Sequence, residues 1–119
     1  MSLIDLQKKI IKEEEKYFKN FIYYAKKIKK ISIKLLRDNN VRVFVFGSVV
    51  KKQAIPGKSD IDVLIVSDKL PTKASVLSKL KMEILRQIGD IAAPFEIHFS
   101  NMELYEKWYK RHIGKRIEV

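Results

Sequence analysis

The chain has 119 residues, enough for one domain with a modest core, and 46% of them are hydrophobic, which excludes a disordered polymer. Its 25 Lys and Arg against 14 Asp and Glu leave a formal net charge of +11, a balance that suits nucleotide phosphates, nucleic acid or an acidic protein surface and equally describes a solvated lysine-rich exterior. Cysteine is absent, so disulfides and thiolate metal sites are excluded. With no apolar signal core and no bilayer-length apolar run, the expectation is a soluble cytoplasmic protein without a membrane partner.

From Leu3 to about Asp38 the pattern is helical. Tyr17, Phe21, Tyr24, Ile28, Ile31 and Leu35 recur at alternating steps of four and three, and Leu3, Leu6 and Ile10 continue that stripe backwards past Glu13. An unbroken helix of this length would run roughly 50 Å at about 1.5 Å per residue, more than a small domain's diameter. Either it breaks near Glu13-Glu14-Glu15, or one end overhangs and meets a partner, which includes a second copy of the chain.

The spacing next predicts a strand over Val41–Phe46, with Val41, Val43 and Val45 on one side and Arg42, Phe44 and Phe46 on the other. Gly47-Ser48 starts a short helix, Val49–Ala54, and Ile55–Ser59 is a turn-rich loop. Asp60–Ser67 reads as a second strand, apolar enough after its carboxylates to be central. Thr72 is placed to cap a helix over Lys73–Ile88, with Gly89 as its stop. Phe95–Phe99 is a third strand. Asn101 caps a last helix whose buried side is read as Leu104, Tyr105, Trp108 and Tyr109, and the tail from Gly114 to Val119 stays unassigned. The order α-β-α-β-α-β-α implies an α/β (α+β) fold, a small mixed sheet flanked by helices in one domain. Residues 1–39 would pack on a core at 41–99, followed by a helix and tail at 101–119.

Asp60 and Asp62 stand two apart at a strand start, so period two puts both carboxylates on one face. Like charges this close need a cation between them, and oxygen ligands select Mg²⁺ or Mn²⁺. Glu96, in a strand expected to be mostly buried, is costly unless paired or metal-bound, and joins them as a third carboxylate. Gly47 lets the backbone approach a phosphate, and Ser48 with the following helix N-terminus adds donors. His98 shares a strand face with Glu96 and reads first as a structural residue; Lys51, Lys52 and Lys58 read first as exposed lysines.

In one order, these elements resemble the nucleotidyltransferase superfamily with the DNA polymerase beta palm fold. That superfamily shows an apolar strand, Gly-Ser, a short gap, Asp-x-Asp and a later carboxylate; here eleven residues separate Gly47-Ser48 from Asp60-Ile61-Asp62, and Glu96 follows. The resemblance covers roughly Val41 to Phe99. It implies that Gly47 and Ser48 hold a triphosphate with help from Lys51 and Lys58. It further implies that Asp60, Asp62 and Glu96 are the metal-binding, catalytic set, with Glu96 activating the acceptor hydroxyl. The small size is similar to the minimal nucleotidyltransferases that pair with HEPN-type helical proteins in toxin–antitoxin systems. The implied reaction is transfer of AMP from ATP to such a partner. Two other readings stand beside it: a protein-interaction module that neutralises a helical partner through the N-terminal helix, and transfer to RNA through the basic surface. For nucleic acid, the aromatics do not interleave with cations along the sequence as in a stacking platform.

Overall fold

The computed structural model describes all 119 residues. Helix α1 spans Leu3–Lys19 and α2 Phe21–Leu36; β1 is Arg42–Phe46, β2 Ile61–Val66, α3 Ala74–Ile88 and β3 Phe95–Ser100. Helix α4 comprises Met102–Leu104, a π-helical turn over Tyr105–Tyr109 and Lys110–His112, and β4 is Arg116–Glu118. No helix is long and apolar enough to cross a membrane.

The four strands form one mixed sheet in the order β3-β2-β1-β4, with β1 antiparallel to both β2 and β4, and β2 parallel to β3. The alternation read in β1 is the alternation found. Val43 and Val45, with Ile61, Val63, Ile65, Phe95 and Ile97, face a core closed by Ala25, Ile28, Ile31 and Leu36 of α2 and Ile84 of α3. Phe44, Leu64 and Val66 face the other way, under Tyr105 and Ile113. The Phe44 and Tyr105 rings stack at 4.6 Å. Strand β2 is buried on both faces from Val63 onward, which explains its unbroken apolar run.

Four expectations are corrected. The first helix breaks at Asn20 and not at the glutamates: the Asn20 backbone leaves the helical region (φ −116°, ψ 32°), and its side-chain Nδ2 donates to the Lys16 carbonyl at 3.0 Å. The glutamates stay helical because exposed carboxylates cost an α-helix little. The segment after Gly47 forms turns only, for Lys52 enters the left-handed region at φ 58°. Helix α3 begins at Ala74 with Lys73 at its N-cap and no side-chain cap, so Thr72 does not serve. The unassigned tail supplies β4, whose three residues carry too little periodicity to be read alone.

The turn between α2 and β1 is held by the buried Asp38 carboxylate, which accepts from the Ser67 hydroxyl at 2.6 Å and from the Asn40 N–H at 2.9 Å. The Ser67 hydrogen bond, seconded by Asn40, holds its pKa below the ordinary carboxylate value. A folded pKa below the unfolded one stabilises the fold above the unfolded value, and that contribution is lost as pH falls through the folded one. Asp38→Ala should therefore cost about 1–3 kcal/mol in urea unfolding at neutral pH. The gap between variant and wild type should shrink on acidification; a gap independent of pH would contradict this assignment.

Candidate active site

Register builds the site. Phe46 pairs with Asp62 across β1 and β2, and Asp62 with Glu96 across β2 and β3, so the three side chains form one row on the face that α4 partly covers. His98, two residues beyond Glu96, points to the same face. Its Nε2 lies 3.3 Å from Asp62 Oδ1 and 3.8 Å from Glu96 Oε1. The Phe46 ring flanks the imidazole at 5.4 Å. One ligand atom from each of Asp62, Glu96 and His98 lies within 4.8 Å of the others. Two hard oxygens and an imidazole fit a divalent cation, and the nitrogen suits Mn²⁺ at least as well as Mg²⁺.

Burial pushes the Asp62 carboxyl above the usual carboxylate range; the adjacent Glu96 adds to that, and the His98 hydrogen bond opposes it. A cation between Asp62 and Glu96 would relieve this repulsion. Glu96 itself is half-exposed on β3, an edge strand that is otherwise mostly buried as expected, so its charge carries little desolvation cost.

Asp60 stands outside the group. It immediately precedes β2, and the group within 4.8 Å comprises Asp62, Glu96 and His98 without it. The Asp60 side chain is exposed and in no ion pair, and its charge helps raise the pKa of Glu14 on α1, after burial of that group.

Gly47 closes β1 at φ 80°, and a Cβ on it would collide with the Asp62 carboxylate. Only glycine lets the chain turn here while Asp62 keeps its place. The Val50 and Lys51 N–H groups both donate to the Gly47 carbonyl at 3.2 Å, and Gln53 N–H donates to Ser48 O at 2.9 Å. The N–H groups of Ser48 and Val49 bond to nothing in the chain, and the half-buried Ser48 hydroxyl lies beside them. Val49 and Val50 are buried and anchor the turn. Lys51, Lys52 and Lys58 are exposed, and none forms an ion pair. A second turn, at Ile55–Ser59, is held by the Ile55 N–H donating to Ser59 Oγ at 2.9 Å, and α1 crosses it at Gly57, where a Cβ would press 2.6 Å from Ile11 Cγ1.

The structure thus brings Asp62 and Glu96 together beside Gly47-Ser48, adds His98, and leaves Asp60 and the lysines at the margin. The period-two pattern already placed His98 on the Glu96 face. What it lacked was the parallel register that sets both residues beside Asp62.

The family model described as "Nucleotidyltransferase domain" matches residues 25–116, from within α2 to the first residue of β4. A solved crystal structure, itself provisionally assigned as a nucleotidyltransferase, is 32% identical to this chain, with a TM-score of 0.51 over 79% of this chain and 95% of that one. None of the curated proteins matches.

Proposed function

Because this chain belongs to the nucleotidyltransferase domain family, we propose that its nucleotidyl transfer moves AMP from ATP to a hydroxyl of a partner protein, as the antitoxin of a HEPN/MNT-type pair. The register that sets Asp62 beside Glu96, with Gly47 pressed against Asp62, carries this reading.

In the proposed reaction, Asp62, Glu96 and His98 would hold a divalent cation, and Asp60, outside that group in the metal-free chain, would join them. Mg²⁺ is favoured by its affinity for phosphate oxygens, and Mn²⁺ by the imidazole. The cation would supply charge stabilisation at the α-phosphate and lower the pKa of an adjacent hydroxyl. The free Ser48 and Val49 N–H groups and the Ser48 hydroxyl bind the phosphate chain, and Lys51, Lys52 and Lys58 offset its charge. The acceptor oxygen bonds to the α-phosphorus as the bond to the bridging oxygen breaks. Pyrophosphate leaves with the bonding pair, and Glu96 takes the hydroxyl proton.

A second reading, a module that acts by binding, is favoured by α1. Leu3, Ile4, Leu6, Ile10 and Ile11 are exposed on it, and every residue from its start at Leu3 to Glu13 is exposed. This face would receive the helical partner or a second copy of the chain.

The test incubates the protein with α-labelled ATP, Mg²⁺ or Mn²⁺ and a lysate of the source cell, beside parallel tubes with γ-labelled ATP. A protein band labelled from the α position alone is the expected result. No band with any of the four nucleoside triphosphates would exclude protein nucleotidylation and leave the binding module.

A further inference from the structure

The last helix carries a surface that this reaction does not use. From Lys107 to Arg116 the chain has five cations, Lys107, Lys110, Arg111, Lys115 and Arg116, and no carboxylate. Lys107 and Lys110 reach back to Glu103 and Glu106 at 2.8 and 3.2 Å, exposed pairs worth little in water. Arg111, Lys115 and Arg116 form no ion pair.

Trp108 was expected in the core, three residues after Tyr105. It is instead 46% exposed, while Tyr105 is 2% exposed. The π-helical turn is the reason: the Lys110 N–H reaches the Tyr105 carbonyl five residues back, and the wider turn carries Trp108 past the inward face while Tyr109 packs there. His112 stacks on the indole at 4.3 Å and 14°, and its Nδ1 lies 2.7 Å from the Trp108 carbonyl, which fixes the imidazole. An aromatic pair therefore stands on the surface among cations, and the run Lys107-Trp108-Tyr109-Lys110-Arg111-His112 corrects the expectation that aromatics and cations do not interleave.

This surface adjoins the candidate active site on two sides. A cavity of about 410 Å³ has Arg42, Lys110, Lys115 and Arg116 in its wall against one carboxylate, Glu118, which Arg42 already pairs at 2.8 Å. Arg116 pairs in register with Phe46, so it extends the row that continues through Asp62 to Glu96. On the other flank, Tyr109 and His98 line one cavity of about 330 Å³ with Phe99 and Lys81, whose ammonium lies 6.0 Å from the Phe99 ring.

We propose that α4 and the β4 edge bind single-stranded nucleic acid, with a base stacked on the Trp108–His112 pair and phosphates on Arg111, Lys115 and Arg116. Exposed aromatics supply a sequence-tolerant stacking surface, and the surrounding cations track the backbone. An acidic protein surface would use the cations but leave the indole without a role. The docking stands on this geometry alone. That the bound strand extends along the Arg116–Phe46 row to the metal-binding group rests on the transferase reading, and makes a strand end a candidate acceptor.

Trp108 is the chain's one tryptophan, so its fluorescence reports on the site directly. A short mixed-sequence single-stranded RNA, titrated without nucleotide or metal, should quench it; the same RNA carrying a dye gives affinities for the variants by anisotropy. Trp108→Ala should weaken binding about tenfold or more, and Trp108→Phe should restore most of it. Arg111→Glu/Lys115→Glu should weaken binding and flatten its salt dependence by about one unit of log–log slope per lost phosphate contact. Lys26→Glu/Lys30→Glu on exposed α2 positions makes the same change in net charge and should do much less. Equal losses from both charge-reversal pairs, or no loss with Trp108→Ala, would overturn the proposal. Polyglutamate that displaces the RNA at equal charge would also overturn it, pointing to an acidic protein. Because neither nucleotide nor metal is present, such a failure would leave the transferase reading intact.

Discussion

Replacing Asp62 by Asn should lower nucleotidyl transfer by about a thousandfold, the loss expected when roughly 4 kcal/mol of charge stabilisation is removed from the transition state. The fold should survive. Burial and Glu96 raise the Asp62 pKa above the ordinary value, so the charged carboxylate costs the metal-free protein stability at neutral pH. A group with a raised folded pKa contributes most below its unfolded value and loses that contribution as pH rises through the folded one. Asn matches the shape without the charge, so the variant's thermal midpoint should equal or exceed that of the metal-free wild type. Mn²⁺ should raise the wild-type midpoint and leave the variant's unchanged. Full activity in the folded variant would remove Asp62 from the reaction, and an equal Mn²⁺ response in both proteins would place the cation elsewhere.

Gly47→Ala should reduce transfer by about a hundredfold and cost about 1–2 kcal/mol of stability. The stability loss follows from φ 80°, a conformation an L side chain seldom adopts; the activity loss follows from the methyl group, which would displace the Asp62 carboxylate. Gly89→Ala separates the two effects. Gly89 has φ 101° and nothing within 4 Å of a built Cβ, so this variant should lose similar stability and keep its activity. If both variants lose activity together, strain alone explains the loss and the Gly47–Asp62 contact has no special role. Thermal melts and initial rates on the same preparations decide between these outcomes.

The sequence exposed most of this architecture because β1 and α2 carry a clean period and β2 carries an unbroken apolar run. Val41, Val43 and Val45 read as one side of the first strand and lie in the core, and the apolar run after Asp62 reads as a central strand, which β2 is. The pairing of Asp62 with Glu96 rests on the parallel register of β2 and β3, which the alternation within either strand does not supply. Features that depend on phase or register were beyond it. The π-helical turn shifts Trp108 by a fraction of a turn, which an α-helical spacing cannot express. Strand β4 is three residues long and exists through its pairing with β1. Asp60 lies one residue ahead of β2, outside the group that Asp62, Glu96 and His98 form.

Helix α1 gives the chain two levels of cooperativity. Tyr17 is its single buried residue; its hydroxyl donates to Asp90 at 2.6 Å, and its ring meets Tyr24 and Phe95. Ahead of Tyr17, the packing against the domain includes Ile11 on Gly57. Release of that contact leaves the sheet and its carboxylates intact, so the amino-terminal turns of α1 can open at a free energy well below that of global unfolding. The turn they rest on lies between the Gly47-Ser48 loop and β2. A ligand that clamps α1 thereby restrains the motion of that connection, and one that peels α1 away loosens it, without any rearrangement of the four strands.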